Sequence, residues 1–339
     1  MTHANTKRDI VVVGASAGGV EALTAFIAGL PADLGAAVFV VLHVPAESPS
    51  RLASILERAA AMPVKVASDG ERIALGQVYV ASPDRHLMVD DNKIRITRGP
   101  REVRARPSID VLFRSASVAF GSRVMGLVLS GALDDGTAGA WAIKDRGGLV
   151  LAQEPSDAEH SSMPDSVIRH VQTDHIGTAR NLAEVVAGLV GSPTRDRPAA
   201  DVERHRVETL IAMEGNGLKA GVMELGAVSK YTCPDCHGVL VEIEEGSIVR
   251  FRCHTGHAFS QLTLLAEINE SVDKGLWDTL RAIEERIMLL RQMEEHALAA
   301  GNDSEARRLM RLADHAERRV QPIRELVLDP SFFGHDENN

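Results

Sequence analysis

Aromatic residues make up only 4% of the 339 positions. Any core must therefore be built from Ala, Val, Leu and Ile. Cysteine is rarer still: three residues, all between positions 233 and 253, too few for a disulfide scaffold. No apolar run approaches the roughly 20 residues that span a bilayer; Ala36 to Leu42 is typical of the longest. The opening MTHANTKRDI has no apolar signal core. Nor is there a basic excess. Net charge is −10, from 37 Lys and Arg against 47 Asp and Glu, which excludes a general nucleic-acid binder. These absences lead us to expect a cytoplasmic protein with no membrane insertion and no nucleic-acid partner.

What is present is ordinary globular material, 45% apolar and 25% charged. The length allows two or three domains. The charge is uneven: residues 1–190 carry 19 basic against 21 acidic side chains, residues 191–339 carry 18 against 26. The first half alternates compact apolar runs (Asp9 to Val13, Ala36 to Leu42, Met125 to Leu129, Gly148 to Ala152) with helical patterns. Those patterns cover Val20 to Leu30, Ser50 to Ala61, Ile109 to Ala119 and Thr137 to Arg146. Continuous apolar runs suit strands buried on both faces of a parallel sheet. The expectation is a doubly wound, mostly parallel, three-layer α/β domain over residues 1–190. A β-rich interruption, Gly76 to Thr97, predicts a hairpin turned at Asp90-Asp91-Asn92.

Gly14-Ala15-Ser16-Ala17-Gly18 follows the first apolar run and precedes the first helical pattern. This is G-x-S-x-G in a strand–turn–helix context, which would set Ser16 at the carboxyl end of a central strand. A nucleotide-binding turn is a rival reading, although Ser16 and Val20 stand where a dinucleotide fingerprint needs glycine. A plain Gly-rich turn is a third. His43 ends the next apolar strand, in VVLHVP. Asp134 and Asp135 follow a further one, in SGALDDGTAG. Asp-Gly is common turn chemistry. A hydroxyl, an imidazole and a carboxylate on one sheet edge are also the parts of a hydrolytic triad.

These segments carry a resemblance. GASAGGVEAL, VVLHVP, RPSIDVLFRSAS and SGALDDGTAG, with AQEPSDAEHSSMP downstream, make residues 8–190 similar to the catalytic domain of chemotaxis protein-glutamate methylesterases, the CheB type. The resemblance implies Ser16 as nucleophile, His43 as general base and Asp135 as the carboxylate holding His43. Asp135 is preferred to Asp134 because it directly precedes the glycine. The resemblance also implies backbone oxyanion donors at Ala17 and Ala132, and hydrolysis of glutamate methyl esters in chemotaxis signal transduction. Glutamine deamidation would follow the same acyl chemistry. No cofactor is implied for catalysis. The partner implied is a methylated protein with acidic, chemoreceptor-like helices. Two departures stand out. Ala132-Leu133 occupies the place of a Met-Gly pair, and the catalytic strand begins by Asp9. We therefore expect a free-standing form without the family's receiver domain. The rival function is a catalytically silent signalling scaffold on the same fold.

Asn92 to Pro107 holds six basic residues, Lys93, Arg95, Arg98, Arg101, Arg104 and Arg106, against one acidic, Glu102. It reads as a charged, solvated hairpin edge or as a docking strip for an acidic substrate. GSPTRDRPAAD opens an expected linker over 191–229. Cys233-Pro-Asp-Cys236 and Cys253-His254-Thr-Gly-His257 then predict a zinc-ribbon-like module over 230–260. The expected ligands are Cys233, Cys236, Cys253 and His257, with His254 as the alternative fourth. The zinc would be structural. The resembled family has free-standing members with a similar appended module. Residues 261–330 predict an α-helical hairpin, with a break at Gly301-Asn302, an N-cap at Asp303 and a kink or end at Pro322. Its apolar stripe would pack the ribbon, or form a homodimer or partner-docking surface.

Overall fold

The computed structural model describes residues 6–47, 49, 51–194, 199–329 and 331–332. Ser50, residues 195–198 of the expected linker, the first five positions of the expected catalytic domain and position 330 lie outside the described residues.

Strands β1 (Ile10–Ala15), β2 (Ala37–Leu42), β3 (Val64–Val66) and β4 (Gln77–Val80) pair in parallel in the order β3-β4-β2-β1. The chain then leaves this sheet for an antiparallel hairpin, β5 (His86–Asp90) and β6 (Lys93–Thr97), turned at Asp91 and Asn92. It returns on the other side of β1, adding β7 (Val124–Val128), β8 (Leu149–Gln153) and β9 (His175–Gly177), all parallel. The winding direction thus reverses at β1. The crevice at the carboxyl ends of β2, β1 and β7 is where open α/β sheets bind ligands.

The sheet is the middle of three layers. Helices α1 (Gly19–Ala28), α2 (Leu52–Ala59), α3 (Ile109–Phe120), α4 (Thr137–Asp145), α5 (Ser162–His170) and α6 (Ala179–Leu189) cover its faces. Successive strand residues point to opposite faces. Val11 and Val13 accordingly pack with Leu23 and Phe26 of α1 and Leu182 of α6. Ile10 and Val12 pack with Ile109 and Phe113 of α3 and Ile143 of α4. Two-sided burial is why these strands read as unbroken apolar runs.

Residues 191–229 differ from a plain linker. They carry α7 (Val202–Glu214) and α8 (Gly217–Ala220), and α7 packs on α3. Helix α7 escapes pattern reading because part of its buried face is polar: His205, Glu208 and Thr209 are buried beside Ile211 and Ala212. Glu208 accepts hydrogen bonds from Arg250 (2.8 and 2.9 Å) and from Arg252 (2.8 and 3.2 Å). Arg114 Nη1 donates to Glu102 at 3.0 Å, and Arg250 also donates to Glu245. Burial opposes the charge on Glu208, and Arg114, Arg250 and Arg252 more than offset it, holding its carboxyl well below the ordinary range. Three arginines and three glutamates thus compensate one another away from water.

Four antiparallel strands follow, in the order of the chain: β10 (Ala227–Thr232), β11 (Val239–Glu245), β12 (Ile248–Cys253) and β13 (Ala258–Ser260). This Cys/His sheet belongs to the same compact unit as the parallel sheet; that unit runs to Leu264, and a second begins at Leu265. The second unit consists of most of α9 (Gln261–Ala299) with α10 (Asp303–Leu328). The two helices run antiparallel, with Arg291 on Asp314 at 2.6 Å and Arg324 on Glu284 at 2.5 Å. Leu280, Leu309, Ala313 and Val320 are buried. The N-cap of α10 is Asn302 rather than the expected Asp303: its side chain accepts from Glu305 N at 3.2 Å. Pro322 neither starts nor ends a helix, since α10 continues to Leu328. One missing backbone donor so close to the C-terminus is tolerated.

Candidate active site

Ser16 follows β1 directly, at the turn into α1. The turn needs Gly18 in the left-handed region, φ +66, where it serves as the N-cap position of α1. Ser16 N donates to Ser130 O at 2.9 Å, and the Ser130 hydroxyl donates to Ala17 O at 2.8 Å. The loop after β7 therefore fixes the serine's backbone. Gly131 makes this approach feasible: a Cβ there would meet Ser16 Cβ at 2.9 Å and Met163 Sδ at 2.2 Å.

His43 follows β2, and its N–H donates to Ala15 O at 3.1 Å. Parallel pairing of β1 with β2 brings its ring beside Ser16. Nδ1 lies 3.1 Å from Ser16 Oγ and Nε2 lies 2.8 Å from Asp135 Oδ2. A carboxylate only accepts, so the ring's proton sits on Nε2 and Nδ1 is left to accept from the Ser16 hydroxyl. Asp135 is buried to 1% exposure. It is the N-terminal anchor of α3: Oδ2 accepts from Ile109 N at 2.8 Å, and Oδ1 from Asp110 N at 3.0 Å and Ser108 Oγ at 3.1 Å. Gly136 N adds a bond of 2.9 Å. Burial pushes this carboxyl up, but the His43 hydrogen bond and charge, with the helix N–H groups, hold it below the ordinary carboxylate range. The buried neighbour Asp110 goes the other way, raised first by burial and then by the Asp135 charge. Asp135 is thus kept ionised at the foot of the imidazole.

The residues expected from the sequence come together as three neighbouring strand ends. Ser16, His43, Ala132 and Asp135 line a cleft of about 430 Å³, together with Arg101 and Arg104. Among the described residues, neither Ala17 N–H nor Ala132 N–H donates a hydrogen bond. Of the remaining basic strip, Arg98 and Arg106 bind Asp84 at 3.1 and 2.5 Å, and Arg95 lies 3.7 Å from Asp90. Sequence reading missed the support around the site. Ser108 N donates to His86 Nδ1 at 3.3 Å, and His86 Nε2 faces Pro100 O at 2.9 Å. Gln153 Oε1 accepts from Ser130 N at 2.8 Å. Ser108 stood just before a helical pattern, which is an N-cap signal. His86 and Gln153 gave none.

A second cluster lies in the Cys/His sheet. Cys233, Cys236, Cys253 and His257 each offer a donor atom, all within 4.8 Å of one another. Cys236 Sγ is 3.6 Å from Cys253 Sγ, and His257 Nδ1 is 3.6 Å from both Cys233 and Cys253 Sγ. A tetrahedral zinc, with bonds of about 2.3 Å to sulfur and about 2.0 Å to nitrogen, has edges of about 3.5–3.8 Å. The donor set and its spacing fit that ion. His254 is placed differently: its ring covers Gly238, where a Cβ would meet Cε1 at 2.2 Å.

Comparison with known proteins bears on the first cluster. A putative protein-glutamate methylesterase/protein-glutamine glutaminase of Leptospira interrogans is 36% identical over 182 residues, covering 53% of this chain and 94% of that protein. Protein-glutamate methylesterase/protein-glutamine glutaminase 2 of Methanosarcina acetivorans is 38% identical over 192 residues, 54% of each chain. The crystal structure of the Thermotoga maritima CheB methylesterase catalytic domain superposes with a TM-score of 0.52 at 32% identity, covering 55% of this chain and all of that one. The sequence profile of CheB methylesterase matches residues 11–186, the span that holds the parallel sheet and its serine, histidine and aspartate. By that match, over half its length, the chain belongs to the CheB methylesterase family.

Proposed function

We propose that the protein is a serine esterase that hydrolyses γ-methyl esters of glutamate side chains in a protein substrate. The observation that carries this reading is the continuous hydrogen-bond chain Ser16–His43–Asp135 in the cleft. Ser16 Oγ attacks the ester carbonyl while His43 Nδ1 takes its proton. Asp135, held ionised, stabilises the imidazolium through Nε2–H. The Ala17 and Ala132 N–H groups, which have no partner of their own among the described residues, are assigned to the developing oxyanion. The proton on Nδ1 then passes to the departing methoxide, giving methanol and an acyl-enzyme. Water, deprotonated by the same nitrogen, hydrolyses the acyl-enzyme and restores Ser16. A glutamine side chain would follow the same route with ammonia leaving. The relatives' printed names, which pair these two activities, support both.

The division of labour we propose places catalysis in residues 1–190. The Cys/His sheet holds a structural zinc through Cys233, Cys236, Cys253 and His257. Arg101 and Arg104 on the cleft wall favour an acidic helical substrate. Among the described residues no helix is long and apolar enough to cross a membrane. The helical unit exposes Leu265, Val272, Trp277, Met288, Leu289 and Met293, which supports its reading as a docking surface. The test is methanol release from a Glu-rich helical peptide carrying one γ-methyl glutamate. Release that requires Ser16, and is lost in Ser16→Ala, is the expected result. A folded wild-type protein that releases none from this or a methylated chemoreceptor fragment would reject the proposal.

A further inference from the structure

Arg101, Val103 and Arg104, which line the cleft, sit in a strained turn. Glu102 and Ala105 exchange backbone hydrogen bonds of 3.3 and 2.9 Å, closing a two-residue turn. The central residues, Val103 and Arg104, have φ of 52° and 65°. Such a turn is normally made by Asn-Gly or Gly-Gly. A β-branched valine in the left-handed region is a strained choice and persists only when its surroundings enforce it.

Much of the surroundings that enforce it comes from the Cys/His sheet. Ala258, the residue after His257, pairs with this turn in parallel: Ala258 N donates to Arg101 O at 3.2 Å, and Val103 N donates to Ala258 O at 2.8 Å. Arg252, the residue before Cys253, places Nη2 2.9 Å from Glu102 Oε1 and donates from Nη1 to Gly256 O at 2.9 Å. Glu102 is therefore held through its backbone by Ala258 and through its side chain by Arg252, each a neighbour of a candidate metal ligand, with Arg114 of α3 on its other carboxylate oxygen at 3.0 Å. Ser260 Oγ continues the contact, donating to Asp134 Oδ1 at 2.8 Å, next to Asp135. On one side, the sheet that supplies this grip packs around Cys233, Cys253, Leu240, Phe251 and Phe259, with Leu264 of α9. A metal held by the thiols within this cluster would add to its stability.

We infer that metal bound by Cys233, Cys236, Cys253 and His257 braces the Arg101–Arg104 turn, so that metal occupancy sets the affinity of the cleft for an acidic substrate and leaves the reactivity of Ser16 alone. This rests on the esterase reading above. Residues 253–258 form a short lever: Cys253 N donates to His257 O and Gly256 N to Cys253 O, both at 2.9 Å. Tying its two ends to one ion fixes the position of Ala258. Without the ion the lever loosens, the strained turn relaxes, and the two arginines no longer face the cleft.

The experiment uses the full chain, purified with zinc, stripped with a chelator and then reloaded, with metal content measured at each stage. Three readouts are taken: steady-state kinetics on the Glu-rich γ-methyl glutamate peptide, labelling of Ser16 by a small neutral fluorophosphonate, and amide hydrogen exchange. The expected result is one zinc per chain. On its loss KM for the peptide should rise about tenfold while labelling stays within about twofold. Exchange should accelerate at Val103 and Ala258, and zinc should reverse all of this. Unchanged KM and exchange after verified metal loss would overturn the inference, as would a full chain that binds no zinc. A fall in labelling parallel to the rise in KM would also overturn it, because the metal would then support the whole fold. If neither the peptide nor a methylated chemoreceptor fragment is a substrate even with zinc present, the esterase reading fails. The exchange at Val103 and Ala258 still decides the brace.

Discussion

Asp135 accepts four hydrogen bonds besides that from His43, three of them from backbone. Its neighbour Asp134 accepts a side-chain hydrogen bond from Ser260. The two adjacent carboxyls consequently move in opposite directions. Burial pushes Asp134 up to about 6, whereas the His43 bond and the helix N–H groups keep Asp135 low against its own burial. The stability consequences also oppose each other. A depressed carboxyl stabilises the fold above the unfolded value of about 4 and loses that contribution as pH falls through the folded value. A raised carboxyl binds its proton more tightly in the folded state and costs stability as pH climbs from about 4 to about 6. Asp134→Asn keeps an acceptor for Ser260 and removes this cost. Urea denaturation should show the variant gaining on the wild type by about 1–2 kcal/mol between pH 4.5 and pH 7; a constant difference would mean that Asp134 titrates normally. At this scale the sequence exposed Ser16, His43 and Asp135 through their places after apolar runs. It hid His86 and Gln153, because a buried side chain that only orients another leaves no pattern.

At the scale of elements, β1, β2, β7 and β8 were legible because two-sided burial demands uninterrupted apolar runs, and α1 to α4 by their helical period; β3, β9, α5 and α6 were not, and β4 was read as part of the hairpin rather than of the parallel sheet. Nor was the mutual approach of the elements. Gly14 in β1 lies against α3: a Cβ there would meet Ile109 Cγ2 at 2.3 Å. That close contact sets the α3 N-terminus, whose N–H groups hold Asp135. Gly14→Ala should therefore destabilise the fold by about 1–3 kcal/mol, and it should slow Ser16 chemistry more than the stability loss explains. Denaturation and initial-rate measurements on the same preparation check this. An unaltered rate would show that α3 can shift without disturbing the carboxylate. Helix α7 was missed for a different reason. A glutamate such as Glu208 reads as solvated in any hydropathy pattern, and only three arginines from distant elements make its burial tolerable. The Asn302 cap shows a finer limit, since adjacent Asn and Asp are equally good caps on paper.

For the whole molecule, nothing in the sequence pattern seats the Cys/His sheet on the parallel-sheet domain. The seating rests on Glu102, Glu208 and Ala258, whose partners lie far away in the chain. Periodicity and motif spacing are local and cannot register such pairs. The family match likewise stops at residue 186. The catalytic reading stands apart from these long-range contacts, in one polarised hydroxyl. Its most direct measurement is intact-mass spectrometry of the full chain after exposure to a fluorophosphonate. The account predicts one adduct per chain, mapped to Ser16, absent in Ser16→Ala and slowed at least about a hundredfold in His43→Ala. A folded wild-type chain that takes up no adduct at Ser16, or takes it up equally fast without the imidazole, would contradict it.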